Sequence, residues 1–161
     1  MTLELDVVAL TPDDWRRWRA LRLAALDEAP AAFGSTLAQW SGAGDTAERW
    51  RGRLAAVPHN LVLVHGSTDV AMVSLTAPDE AGTPELISMW VSPGARGTGA
   101  ADLAVRSVLA IAATAYAGLP VALSVYADNA AAVRLYARHG FVDAGVSPDD
   151  ERERRMVRPP G

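Results

Sequence analysis

Two glycines two places apart, between a strand-like run and an alanine-rich one, carry the spacing in this chain that most invites chemistry. The segment is Arg96-Gly97-Thr98-Gly99-Ala100-Ala101, preceded by Glu85 to Pro93 and followed by Asp102. Glycine lets a backbone take positive φ and approach a ligand closely. When a strand runs into such a turn and a helix starts at once, the free N–H groups of the first helical turn converge where the helix dipole is positive. That arrangement binds a phosphate or pyrophosphate. A tight strand-to-helix turn with no ligand is the alternative. A dinucleotide site fits less well, because the third glycine and an acidic residue about 20 positions on are missing.

A second constellation lies downstream in Asn129-Ala-Ala-Ala-Val-Arg-Leu-Tyr136-Ala-Arg-His-Gly140-Phe141. Asn129 and Tyr136 are seven apart, nearly two helical turns, so both project from one face about 10 Å apart. On residue type alone Asn129 reads as a helix N-cap and Tyr136 as a core aromatic with a satisfied hydroxyl. Glu85 is a carboxylate six residues before Val91 on the strand that enters the glycine turn, a span of about 20 Å. It suits a general base or a solvent-facing acid.

These residues need elements to hold them. Leu3 to Leu10 alternates and then turns apolar, as a first strand does. Thr11-Pro12-Asp13-Asp14 supplies a cap, a proline and acids for a helix to about Asp27, with Trp15, Trp18, Leu21, Arg22 and Ala25 at helical spacing. Pro30 ends it, Ala31 to Gly44 reads as a loop, and Thr46 to Ala56 as a second helix. Leu61 to Val64 and Val70 to Thr76 form an antiparallel hairpin across His65 to Asp69. Strand Glu85 to Val91, a helix from near Thr98 to Gly118, strand Val121 to Tyr126, helix Asn129 to His139 and strand Phe141 to Val146 follow. Arg154 to Arg158 reads as a final edge strand. The expectation is one α/β domain of the α+β type: a mixed, mostly antiparallel central sheet of six to seven strands, flanked by about four helices.

Composition removes several functions. The 161 residues carry a net charge of −4 with scattered arginines, no footprint for nucleic acid. Cysteine is absent, which excludes disulfides, thiolate metal sites and a covalent thioester intermediate. Lysine is absent too, so a lysine-bearing phosphate loop cannot be built. His59, His65 and His139 have no metal-like spacing, and no metal is assigned. No signal peptide or membrane-spanning run is visible, so a cytoplasmic protein is expected. Exposed edge strands of such a sheet leave room for a homodimer.

Arg96 to Ala101 resembles the Gln/Arg-x-x-Gly-x-Gly/Ala signature of the GNAT superfamily of acyl-CoA-dependent N-acyltransferases. Asn129 to Phe141 is similar to that family's Asn-x-x-Ala-x-x-Leu-Tyr-x-x-x-Gly-Phe helix. The resemblance implies that Arg96, Gly97, Thr98, Gly99, Ala100 and Ala101 grip the coenzyme A pyrophosphate, with Asn129 on the pantetheine region. It implies backbone pairing of Met89, Trp90 and Val91 with the pantetheine amides and Tyr136 as acid to the leaving thiolate. Glu85 stands where some members carry a catalytic glutamate. The amino-terminal third is expected to form the acceptor pocket, with Phe33, Trp40 and Trp90 as walls, and Pro30 to Thr36 resembles a stretch common in one bacterial branch. The expected activity moves an acetyl group from acetyl-CoA directly to a primary amine of a small molecule or peptide. A non-catalytic acyl-CoA-binding module is the alternative.

Overall fold

The computed structural model describes residues 2–30, 33 and 35–161; Ala31, Ala32 and Gly34, within the Pro30 to Thr36 stretch, lie outside the described residues. Seven strands run in chain order: β1 Asp6–Ala9, β2 His59–His65, β3 Thr68–Leu75, β4 Leu86–Val91, β5 Val121–Tyr126, β6 Val142–Val146 and β7 Glu153–Arg158. The helices are α1 Trp15–Glu28, α2 Ala47–Ala56, α3 Ala100–Ala115 and α4 Ala130–Arg138.

The strands form two antiparallel sheets, β1-β2-β3-β4 and β5-β7-β6. One parallel bridge, Glu85 to Ala122, joins them at the start of β4 and β5. The expected single sheet is therefore split, for a local reason. Met72 of β3 pairs with Trp90, but Ser74 pairs with Ile87, so β4 carries an extra residue. Ser88, in that extra stretch, has φ 56°, a left-handed conformation uncommon outside glycine. Such a bulge bends its strand and increases local twist. Beyond the bridge, β4 and β5 diverge.

The apolar run in β2 is explained by burial on both faces, since helices cover both sides of the first sheet. Leu61 and Leu63 point into a core with Val105 and Val108 of α3. Val62 points the other way, toward Trp18 of α1 and Trp50 of α2. In α3 the buried residues Ala100, Ala104, Val105, Val108 and Ala112 recur at helical spacing, and the alanines let the helix sit close to the sheet. Trp18 and Trp50 have no exposed surface. Truncating either to alanine costs about 3–5 kcal/mol.

Local chemistry sets the helix starts. The Thr11 amide donates to Asp14 Oδ2 at 2.8 Å ahead of α1. Thr46 Oγ1 accepts from the Arg49 amide at 3.2 Å and begins α2. One expectation fails outright: β7 is the central strand of its sheet, between β5 and β6. Its arginines suggest an edge, yet Arg154 reaches Asp143 at 2.9 Å and Arg155 reaches Glu85 at 3.1 Å. Met156 meanwhile enters the core, 3% exposed. Charge that finds cross-sheet partners is compatible with an interior strand.

Candidate active site

At the glycine turn, Gly97 and Gly99 have φ of 75° and 88°, so both require the left-handed region that favours glycine. Gly99 is the N-cap of α3 and has no side chain to cap it. The Leu103 amide is the first to donate into the helix, to the Gly99 carbonyl at 3.0 Å. Amides from Gly97 to Asp102 donate to no backbone carbonyl among the described residues. This is a nest of donors at a positive helix end. Thr98 is buried, and its hydroxyl donates to the Ala95 carbonyl, fixing the turn from within.

Arg96 is largely engaged by the protein. Its Nε donates to the Val91 carbonyl at 3.1 Å and its Nη2 to Glu28 of α1. Asp102 in the first turn of α3 brings negative charge beside the nest. It is drawn aside by His139 at 2.7 Å and Arg138 at 3.2 Å, which hold its carboxyl below the ordinary range, the His139 hydrogen bond contributing most.

Where β4 and β5 part, a cavity of about 690 Å³ opens between them and α4. Met89, Trp90, Val91, Arg96, Ala101, Asn129 and Tyr136 all line it. The two motifs thus meet at one space, the glycine turn through Arg96 and Ala101; Gly97, Thr98, Gly99 and Ala100 do not line it. Asn129 Oδ1 accepts from the Ala132 amide at 3.2 Å, so Asn129 caps α4 while it faces the cavity. Tyr136 is 7% exposed and meets Phe141 edge to face at 5.8 Å. Burial raises its phenol above the ordinary value, so the hydroxyl stays protonated and is a donor. No hydrogen bond among the described residues occupies it.

A second cavity of about 390 Å³ adjoins the first, sharing Phe33, Leu86, Ile87, Ser88, Ser124 and Glu153 with it. Glu85, Phe33 and Trp40 line this smaller space; Trp90 lines only the larger one. Trp40 stacks against Trp50 at 4.5 Å and under the Arg49 guanidinium at 3.8 Å. Glu85 sits one residue before β4, at the bridge to Ala122. Burial raises its pKa, Arg155 opposes the shift, and Asp149 and Asp79 add to it. Glu85 and Tyr136 therefore belong to adjoining cavities rather than to one.

Sequence reasoning missed three residues of this region. Glu153 lines both cavities, and its carboxyl is raised by burial and then by Asp150, Asp149 and Glu85. Arg22 and Arg53 line the smaller cavity, and burial lowers each to about 10, with Arg22 lowering Arg53 further. For Arg22 a signal existed: it falls among the apolar positions of α1. Among the described residues no group of three or more histidines and carboxylates converges as metal ligands do. No described helix is long and apolar enough to cross a membrane.

The family model for the GNAT acetyltransferase family matches residues 13–141, and the chain belongs to that family. Solved structures share its fold at low identity. An acetyltransferase of the GNAT family from Streptococcus pneumoniae is 20% identical with a TM-score of 0.78, the match covering 98% of this chain and 100% of that one. The PaiA N-acetyltransferase from Thermoplasma acidophilum, in complex with coenzyme A, is 14% identical at a TM-score of 0.75, covering 98% and 99%. A spermidine N-acetyltransferase SpeG chimera from Vibrio cholerae and hSSAT is 22% identical at 0.70, covering 96% and 95%. No curated protein matches the sequence.

Proposed function

We propose that this acetyltransferase moves an acetyl group from acetyl-CoA directly to a primary amine. The reading rests above all on the amides of Gly97 to Asp102, which have no backbone acceptor among the described residues and lie beside the cavity that Tyr136 lines. The nest suits a diphosphate, and the resemblance assigns Arg96 to Ala101 to that contact. β4 is the edge strand of its sheet, and backbone groups near Met89, Trp90 and Val91 suit pairing with an extended amide-bearing arm, the Val91 carbonyl already accepting from Arg96 Nε. An amide there also suits the thioester oxygen as it gains charge.

The transfer balances simply. The amine nitrogen attacks the acetyl carbon, the new C–N bond forms, the C–S bond breaks, and free coenzyme thiol leaves. The nitrogen loses one proton and the sulfur gains one. Tyr136, held neutral by burial, donates toward the sulfur. Glu85, Glu153 or a water between them accepts the amine proton, and both carboxyls have pKa values raised toward that task. Phe33 and Trp40 wall the acceptor side.

Coenzyme A titrated into the purified protein by calorimetry tests the nest, and thiol release from acetyl-CoA with an amine panel tests the chemistry. Binding with no turnover on any amine leaves the acyl-CoA-binding module instead. Absence of binding removes the whole reading.

A further inference from the structure

Residues that line the smaller cavity carry hydrogen-bond donors with no acceptor among the described residues. Trp18 and Arg22 stand four residues apart on α1, on one helix face. Both line the cavity, and both carry a buried N–H nitrogen, Trp18 Nε1 and Arg22 Nη1, with no hydrogen-bond partner among the described residues. Arg53 adds a second guanidinium, lying over the Trp18 ring at 4.9 Å. Its partners are neutral: Asn60 Oδ1 at 2.9 Å, Ser88 Oγ at 3.1 Å and Ser74 Oγ at 3.2 Å. Neither arginine forms an ion pair among the described residues, although nine other ion pairs are present. Both arginines are half-buried, and guanidinium charge without counter-charge on a partly desolvated wall favours an anionic ligand.

Charge of the opposite sign lines it as well. Glu85, Asp149 and Glu153 line the same cavity. Glu153 also lines the larger one and so marks the side where the two spaces communicate. A wall of two arginines thus shares the space with a wall of carboxylates, among the aromatic surfaces of Phe33, Trp40 and Trp50. A polyamine, cationic along its length, is repelled by the first wall. A ligand with a carboxylate at one end and an amine at the other satisfies both.

We infer that the acceptor is an amino carboxylate, an amino acid or short peptide, whose carboxylate is held by Arg22 and Arg53 while its amine points past Glu153 toward the larger cavity. This inference rests on the acetyl-transfer reading given above. It makes Arg22 a specificity residue without a part in the chemistry.

The test pairs each of the twenty amino acids with its carboxamide, adds spermidine, and follows thiol release from acetyl-CoA; coenzyme binding is measured separately by calorimetry. The expected result is a kcat/KM for the best amino acid about 30-fold or more above that of its amide. Arg22→Met is expected to erase that preference by lowering kcat/KM for the acid about 30-fold, leaving the amide and the coenzyme Kd unchanged. It is also expected to melt no lower than the parent, because a half-buried charge without an ion-pair partner is gone; a merely structural arginine gives a lower melting point. Arg22→Gln repeats the test should the methionine variant fail to fold. Amides or spermidine accepted as well as acids, a preference that survives both variants, or coenzyme binding with no amino acid accepted overturns the inference. None of these touches the coenzyme site. Loss of coenzyme binding in the parent protein overturns the acetyl-transfer reading itself.

Discussion

The two cavities are built from different materials. The larger one lies beside a set of backbone donors, the amides of Gly97 to Asp102, and along the open edge of β4. The smaller one takes its polar groups from side chains contributed by α1, α2, the bridge before β4 and β7. A backbone site asks for particular torsions in one short stretch and tolerates many side chains outside it. A side-chain site asks for particular groups from distant stretches and leaves no contiguous pattern. The contrast separates what binds a common donor from what selects one acceptor.

Four experiments bear on that contrast. The largest effect is expected from Tyr136→Phe, which removes the proposed acid of the larger cavity. The expected outcome is a fall in kcat of about 100-fold with an unchanged coenzyme Kd, read by thiol release and calorimetry. An unchanged kcat removes Tyr136 from the chemistry.

The carboxylates come next. A base must be ionised, and the carboxyls of Glu85 and Glu153 are raised above their ordinary 4.5. Activity should therefore fall as pH drops through a window above 4.5. Glu→Gln at the true base abolishes that limb and lowers kcat/KM about 100-fold at neutral pH. The same substitution at the other carboxylate leaves the limb in place. Profiles of the two variants decide between them, and a limb retained in both points to water.

Gly99→Ala is a smaller perturbation. Its Cβ meets no atom within 4 Å, so the cost in the free protein comes from φ of 88° alone. That is about 1–2 kcal/mol. Coenzyme affinity is expected to fall about tenfold as the nest deforms, with the acceptor KM unmoved.

Asp45 gives the smallest effect and concerns the other cavity. It joins Arg19 at 2.5 Å to the Trp50 indole at 2.8 Å, and these bonds, Arg19 first, lower its carboxyl from 3.8 to about 2. A depressed folded-state pKa means that its stabilisation is present above about 3.8 and is lost as pH falls toward 2. Asp45→Asn should lower the melting temperature at neutral pH, and the gap to the parent should close at pH 2.

This contrast also explains what the sequence disclosed. Gly97 and Gly99 were legible because positive φ at a strand-to-helix turn restricts residue type. The Asn129 helix was legible because capping and helical period are local. Strand count and helix count followed from the same local rules. The split of the sheet was not legible, because Ser88 is an ordinary residue in an uncommon conformation, and only pairing against β3 reveals the bulge. The central place of β7 depended on partners for Arg154 and Arg155 that lie 11 and 70 positions away. Arg22 and Arg53 meet Glu85 and Glu153 only through the fold, and no spacing rule joins positions so far apart.

The single bridge between Glu85 and Ala122 makes the junction of the two sheets a seam. Past it, amide hydrogens on facing edges lack the ladder that shields them elsewhere, and a seam with few cross-links opens at lower free energy than the layers beside it. A molecule lodged there fastens one half of the fold to the other. Deuterium uptake along residues 88–91 should then slow when coenzyme is present, while β2 and β3 exchange as slowly with it as without.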